Sequence, residues 1–236
     1  MNKPTVSLVT KFHRTSEPRD LSDLSVRAET LAGRTLGELA GEQAMAIPPD
    51  LRRAKGWVGN LIERCLGASA GNRAEPDFPK LGVELKTLPI DARGKPLEST
   101  FVCTIALSKM ADTEWELSRL REKLAHVLWV PVEATRELPL GIRRVARPFF
   151  WQPSAAQESE LRADWEAFSL AIAQGRTEEI SGHFGQHLQI RPKAARGDST
   201  RRAMDENGAL YDQQPKGFYL RPSFTQSLVR AALSPA

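Results

Sequence analysis

The sequence predicts a mixed β-sheet flanked by helices, in the α/β (α+β) class, and three observations lead there. Apolar residues recur at helical spacing in well-separated stretches, most clearly Leu161, Trp165, Phe168 and Ile172. Between those stretches lie short runs rich in β-branched and aromatic residues, such as "VLWVPVE" and "RPFFWQP". The two kinds of segment do not alternate as regular βαβ units, which argues against a doubly wound nucleotide-binding sheet.

Residues 1–20 are polar and are expected to be loosely ordered. "SDLSVRAETLAG" reads as a helix ending at Gly33, and "TLGELAGEQA" as a second capped by Thr35. "IPPD" breaks the chain, and a third helix is expected over about 50–66, where Leu51, Trp57, Val58, Leu61, Ile62, Cys65 and Leu66 fall at helical spacing. A loop of small residues, 67–77, ends at Asp77. Strands at about 81–90 and 99–108, joined by "DARGK", are expected to pair as a β-hairpin. Residues 114–128 read as a helix with Leu117, Leu120, Leu124 and Val127 on one side. "VLWVPVE" and "RPFFWQP" follow as strands, then a helix over 154–174 stopped by Gly175. "HLQIRPKA" and "KGFYLRP" read as late strands, and a helix over about 223–233 closes the chain. The five tryptophans, Trp57, Trp115, Trp129, Trp151 and Trp165, fall on apolar faces and are read as core.

Composition narrows the classes. A chain of 236 residues with 41% hydrophobic and 26% charged residues can bury a proper core and has ordinary soluble globular character. No run is apolar enough to cross a bilayer, and the N-terminus lacks the pattern of a signal peptide. Two cysteines, Cys65 and Cys103, exclude a disulfide framework, so a reducing cytoplasm is the default. Four scattered histidines match no zinc spacing. Residues 183–236 carry eight Lys+Arg against four Asp+Glu, so the whole net charge of +4 sits in the last quarter. A local basic excess suits a polyanion, although an uneven solvated surface has the same composition.

One short stretch carries chemistry. In "DFPKLGVELKT", Val83, Leu85 and Thr87 point to one face of a strand while Glu84 and Lys86 point to the other. Asp77 lies seven residues before Glu84, close enough for the chain to fold back and set the two carboxylates side by side. Paired carboxylates repel unless a cation lies between them, and hard oxygen ligands suit magnesium. An ammonium beside them can orient an attacking water and offset charge on a phosphorane. The set fits phosphodiester cleavage. It also fits a solvated strand face with an i,i+2 ion pair worth about 0.5 kcal/mol.

A wider comparison separates those readings. "KGWVGNLIERCLGASAGNRAEPDFPKLGVELKTLPID", "GKPLESTFVCTI", "KLAHVLWVPVE", "LQIRPKAA" and "GFYL" together resemble the MutH family of mismatch-repair endonucleases, in order from about Thr35 to Ala232. The resemblance implies a single domain over 1–236 with a restriction-endonuclease-like fold, split into two arms around a DNA cleft. The N-terminal arm would span about 21–110 and hold the catalytic hairpin, and the C-terminal arm, about 111–236, would hold the recognition segments. The implied activity is a nick in the unmethylated strand of hemimethylated GATC duplex. It would require Mg2+, with Mn2+ expected to substitute, and would be stimulated by MutL acting on a monomeric enzyme. The alternatives are a type II restriction endonuclease cleaving GATC and a catalytically silent DNA-binding or scaffold protein.

Carried over position by position, the resemblance makes Asp77 and Glu84 metal-binding carboxylates and Lys86 the catalytic lysine. The Leu85 carbonyl would complete the metal shell. Glu63 matches a further acidic site residue, although periodicity alone places it on a solvated helix face. Lys123 matches a second lysine near the scissile phosphate, against a surface helix lysine beside Glu122. Arg191 and Lys193 match DNA-meeting positions, Lys193 as the base reader, with Pro192 fixing the segment between them. Tyr219 matches the residue beside the target adenine, where an aromatic senses an N6-methyl group. Arg201, Arg202 and Arg221 are candidate phosphate contacts on charge alone. Residues 1–20 and the loop 194–215 depart from the family pattern.

Overall fold

The computed structural model describes residues 15–71, 73–105, 110, 113–176, 180, 182–193, 201–204, 210–213 and 216–233. Helix α1 (Leu21–Glu29) starts at Asp20, whose side chain accepts from the Asp23 amide. Helix α2 (Leu36–Glu42) is held by the expected Thr35 cap, reciprocated by Glu38 as a capping box. Helix α3 (Trp57–Leu66) is shorter than its apolar spacing implies. Gly56 adopts a left-handed φ of 87° immediately before it, so residues 51–55 form turns rather than a first helical turn.

Two three-stranded sheets follow from the middle of the chain. Strand β1 (Glu84–Ile90) pairs in parallel with β3 (Val127–Glu133), which pairs antiparallel with β4 (Phe149–Trp151). Strand β2 (Thr100–Thr104) pairs antiparallel with β8 (Lys216–Leu220), and β8 with β5 (Leu188–Pro192). Strands β6 (Arg201–Met204) and β7 (Leu210–Gln213) form a separate pair.

The expected catalytic hairpin between β1 and β2 is therefore corrected, because the two strands lie in different sheets. The turn itself closes: the Asp91 amide donates to the Lys95 carbonyl at 2.9 Å and the Leu97 amide to the Pro89 carbonyl at 3.0 Å. Beyond that point Pro89 and Pro96 have no N–H to extend a ladder, and β2 departs to bury Val102 and Cys103 elsewhere.

The expected helix over 114–128 is also corrected. It divides into a 3-10 turn at Trp115–Leu117 and helix α4 (Arg119–Leu124), and Val127 already opens β3. The cause is Ser118, which takes an extended conformation and caps α4 by accepting from the Arg121 amide. Leu117 consequently stands 79% exposed. Helix α5 (Ala155–Ala173) matches its predicted stripe, with Leu161, Trp165 and Phe168 buried. Helix α6 (Pro222–Leu233) begins with a proline at its first position. No helix among the described residues is long and apolar enough to cross a membrane.

The sheet of β1, β3 and β4 is a wall between two cores. One core collects α1, α2 and α3 against Val83, Leu85, Leu128, Val130 and Val132. The other collects β2, β5, β8, α5 and α6 against Leu88, Ile90, Val127 and Trp129. Alternation along β3 sends successive residues to opposite cores, so six of its seven residues are buried, as its unbroken apolar run requires. Four tryptophans (Trp57, Trp115, Trp129 and Trp165) are buried and Trp151 is half-buried, in line with their reading as core.

Candidate active site and nucleic-acid interface

Alternation on β1 also builds the site. The face that carries Leu88 and Ile90 into one core carries Lys86 and Glu84, two and four residues before Leu88, at that core's edge. Just upstream, a 3-10 turn at Pro79–Leu81 folds the chain back, with the Phe78 amide donating to the Val83 carbonyl at 2.9 Å. Asp77 is thereby set beside the start of β1, where its Oδ2 accepts from the Leu85 amide at 2.8 Å. The small residues of the preceding loop allow close approach, and the Ser69 and Ala70 amides donate to the Asp77 carbonyl.

The carboxylate–lysine pair is not a solvated strand face. Glu84 is 5% exposed, and each of its oxygens is held by an ammonium. Lys86 Nζ lies 2.7 Å from Oε1, and Lys123 Nζ lies 2.8 Å from Oε2. Lys123, in the last turn of α4, is 6% exposed and also donates to the Glu75 carbonyl at 2.7 Å. It is thus a buried member of the cluster rather than a surface lysine paired with Glu122. Among the described residues no ammonium or guanidinium is in ion-pair contact with Asp77, and burial followed by the charge of Glu84 pushes its carboxyl above the ordinary range. The Leu85 amide, Lys86 and Lys123 act in the opposite direction.

Glu63 precedes this group in the chain. It is half-buried on α3, and its carbonyl accepts from the Gly67 and Ala68 amides where the helix stops. Among the described residues no group of three or more carboxylate, imidazole or thiol side chains is placed to hold a metal ion.

Strand β2 links the cluster to a second surface. Cys103 is buried, which pushes its thiol up to about 11, and the charges of Lys86, Arg119, Lys123 and Glu84 act on it. In the same sheet, Val102, Phe218, Leu188, Leu220 and Ile190 face the core, while Phe101, Tyr219, Gln189 and Arg191 share the opposite side. Phe101 and Tyr219 meet edge to face with centroids 5.3 Å apart. Arg191 is exposed; its guanidinium carbon lies 5.7 Å from the Tyr219 ring centre, and its Nη1 donates to Ser99 Oγ at 2.7 Å. Lys193 Nζ lies 4.9 Å from the Phe101 ring centre and donates to Thr104 Oγ1 at 3.2 Å. Pro192 ends β5 and is exposed between them. The strands come this close because residue 217 is glycine; a Cβ there would lie 2.7 Å from the Phe101 ring.

The remaining candidates and one further residue are placed as follows. The guanidinium of Arg221 donates to the carbonyls of Gly182, Phe184 and Gly185. Phe101 escaped notice because nothing in one strand's sequence tells which rings its partners will bring. Arg201 and Arg202 lie in β6, and no side-chain placement is described there.

A helix-flanked mixed sheet with paired carboxylates and lysines at its edge defines the class: a DNA endonuclease of the restriction-endonuclease-like fold. A family model described as the DNA mismatch repair enzyme MutH matches residues 66–164. The chain is 47% identical over 216 residues to the DNA mismatch repair protein MutH of Haemophilus influenzae (strain PittEE), spanning 92% of this chain and 97% of that protein. It is 50% identical over 212 residues to the protein of the same name from Serratia proteamaculans (strain 568), spanning 90% and 93%. A third, from Pectobacterium atrosepticum, is 46% identical over 229 residues, or 97% and 96%. The chain belongs to the MutH family.

Proposed function

We propose that this endonuclease acts in mismatch repair by nicking the unmethylated strand at hemimethylated GATC sites, with Mg2+ as cofactor, Mn2+ as a substitute, and MutL as its activator. The observation that carries the reading is Glu84, buried between Lys86 and Lys123 with Asp77 beside it. The donor set fits a hard divalent cation: two adjacent carboxylates whose repulsion a cation would relieve, and the main-chain carbonyl of Leu85 between Glu84 and Lys86. Asp77, Glu84 and that carbonyl would hold it, with Glu63 a candidate to orient water. The metal supplies Lewis acidity and positive charge at a phosphate oxygen.

The chain's own groups do the rest. Lys86 Nζ, directed by Glu84 Oε1, orients the attacking water and offsets negative charge as the phosphorane forms. Lys123, fixed by the Glu75 carbonyl and Glu84 Oε2, holds a second positive charge at the same point. Burial strengthens both effects, because charges interact more strongly away from water. Across β2, the side with Phe101, Tyr219, Arg191 and Lys193 suits a base-reading surface, since Arg or Lys donating to guanine is the commonest specific contact.

The test is cleavage of a plasmid carrying one GATC site in unmethylated, hemimethylated and fully methylated forms, with and without Mg2+ and MutL. Strand-selective nicking of the hemimethylated form, absent under chelation and raised by MutL, is expected. Double-strand cutting of the unmethylated form independent of MutL would instead favour a restriction enzyme.

A further inference from the structure

Two charged side chains grip the turn that feeds the recognition strand. Asp164, on the inner face of α5 and 8% exposed, accepts from the amides of Gln186 at 2.7 Å, His187 at 2.6 Å and Leu188 at 2.8 Å. From the other side, Arg221 Nε donates to the Gly185 carbonyl at 3.1 Å, and its Nη2 donates to the carbonyls of Gly182 at 2.8 Å and Phe184 at 3.1 Å. The Arg221 amide adds a bond to the His187 carbonyl at 2.8 Å. A carboxylate thus takes the donors of the turn and a guanidinium takes its acceptors. The turn admits no slack at its centre: Gly185 has φ of +83°, and a Cβ there would lie 2.6 Å from the Leu188 carbonyl oxygen.

Burying a carboxylate costs desolvation that neutral partners would avoid, so this expense calls for a reason beyond closing a loop. The reason is position. Leu188 opens β5 and pairs with Leu220, the residue before Arg221. From that pair the register runs outward to Arg191 and Pro192, with Lys193 just past the strand's end, and a slip of one residue would turn Arg191 to the core side.

We propose that Asp164 and Arg221 are positioning residues for sequence discrimination: they pin the Leu188–Leu220 pair and so set where Arg191 and Lys193 meet DNA. This inference rests on the reading of β5 and β8 as the base-reading surface. The test compares kcat/KM for nicking at GATC and at a site altered by one base pair, using full-length wild type, Asp164→Asn and Arg221→Lys. All assays run well below each variant's melting midpoint. Arg221→Lys keeps the charge but offers one nitrogen for three carbonyls, and it carries the test where Asp164→Asn folds poorly. Discrimination is expected to fall roughly tenfold to a hundredfold, the scale of an ångström-sized misplacement, with cleavage of the altered site retained. Equal loss at both sites, or an unchanged ratio, would overturn the proposal while leaving the functional reading intact. Failure of the wild type itself to discriminate would overturn both.

Discussion

At the scale of single residues, the site is decided by how charge is shared. Glu84 has two ammonium partners, and Asp77 has none in ion-pair contact among the described residues. Lys86→Ala is expected to abolish Mg2+-dependent nicking while leaving duplex binding nearly unchanged in a gel-shift assay; full activity would remove Lys86 from the chemistry. Asp77→Asn separates function from stability. The amide oxygen can still accept from the Leu85 amide, while the repulsion from Glu84 disappears. Activity should be lost, yet with chelator present the melting midpoint should rise. A lower midpoint would show that Asp77 does not carry the strain its raised carboxyl implies. That Glu84 and Lys86 share a face was legible from strand alternation alone. That Lys123 joins them was not, because α4 and β1 meet only through the fold.

At the scale of elements, alternation gives β5 and β8 one face for the core and another that carries Arg191 and Tyr219. Lys193→Ala should reduce discrimination of GATC from altered sites more than it weakens non-specific binding, measured by competition titration. Tyr219→Ala should narrow the ratio of nicking rates between unmethylated and hemimethylated substrates, and an unchanged ratio would leave Tyr219 as an aromatic partner of Phe101 only. Helices with capping residues and a full apolar stripe, such as α5, were readable to within a residue or two. Helix α4 was not, because Leu117, Leu120 and Leu124 keep helical spacing straight across the Ser118 cap that interrupts it. The hairpin failed for a related reason: "DARGK" does make a tight turn, but pairing beyond a turn depends on partners elsewhere in the chain.

At the scale of the whole molecule, β3 is shared by both cores, so neither can melt without exposing the other. The two cysteines report on this, Cys103 within one core and Cys65 packed against the second. Burial pushes both thiols up to about 11 from an ordinary 9.0. At pH 8 the native thiolate fraction is therefore about 100-fold below that of a free thiol, and native alkylation should be slow and accelerate with rising pH. In a denaturant series followed by a thiol reagent, Cys65 and Cys103 should become reactive at one common midpoint. Two separated midpoints would show that the cores unfold independently.

Sequence by itself determined what depends on neighbours along the chain. The fold class, the helix caps, the face shared by Glu84 and Lys86, and the fold-back that brings in Asp77 all follow from local periodicity and turn chemistry. Tertiary structure alone decided what depends on distant partners: the parallel pairing of β1 with β3, the capture of Glu84 by Lys123 from 39 residues away, and the Phe101–Tyr219 contact. It also engaged the Arg221 guanidinium with three main-chain carbonyls of one turn. The physical reason is that backbone preference acts over a few residues, whereas a buried charge takes its partner from whichever segment packing brings within hydrogen-bond reach.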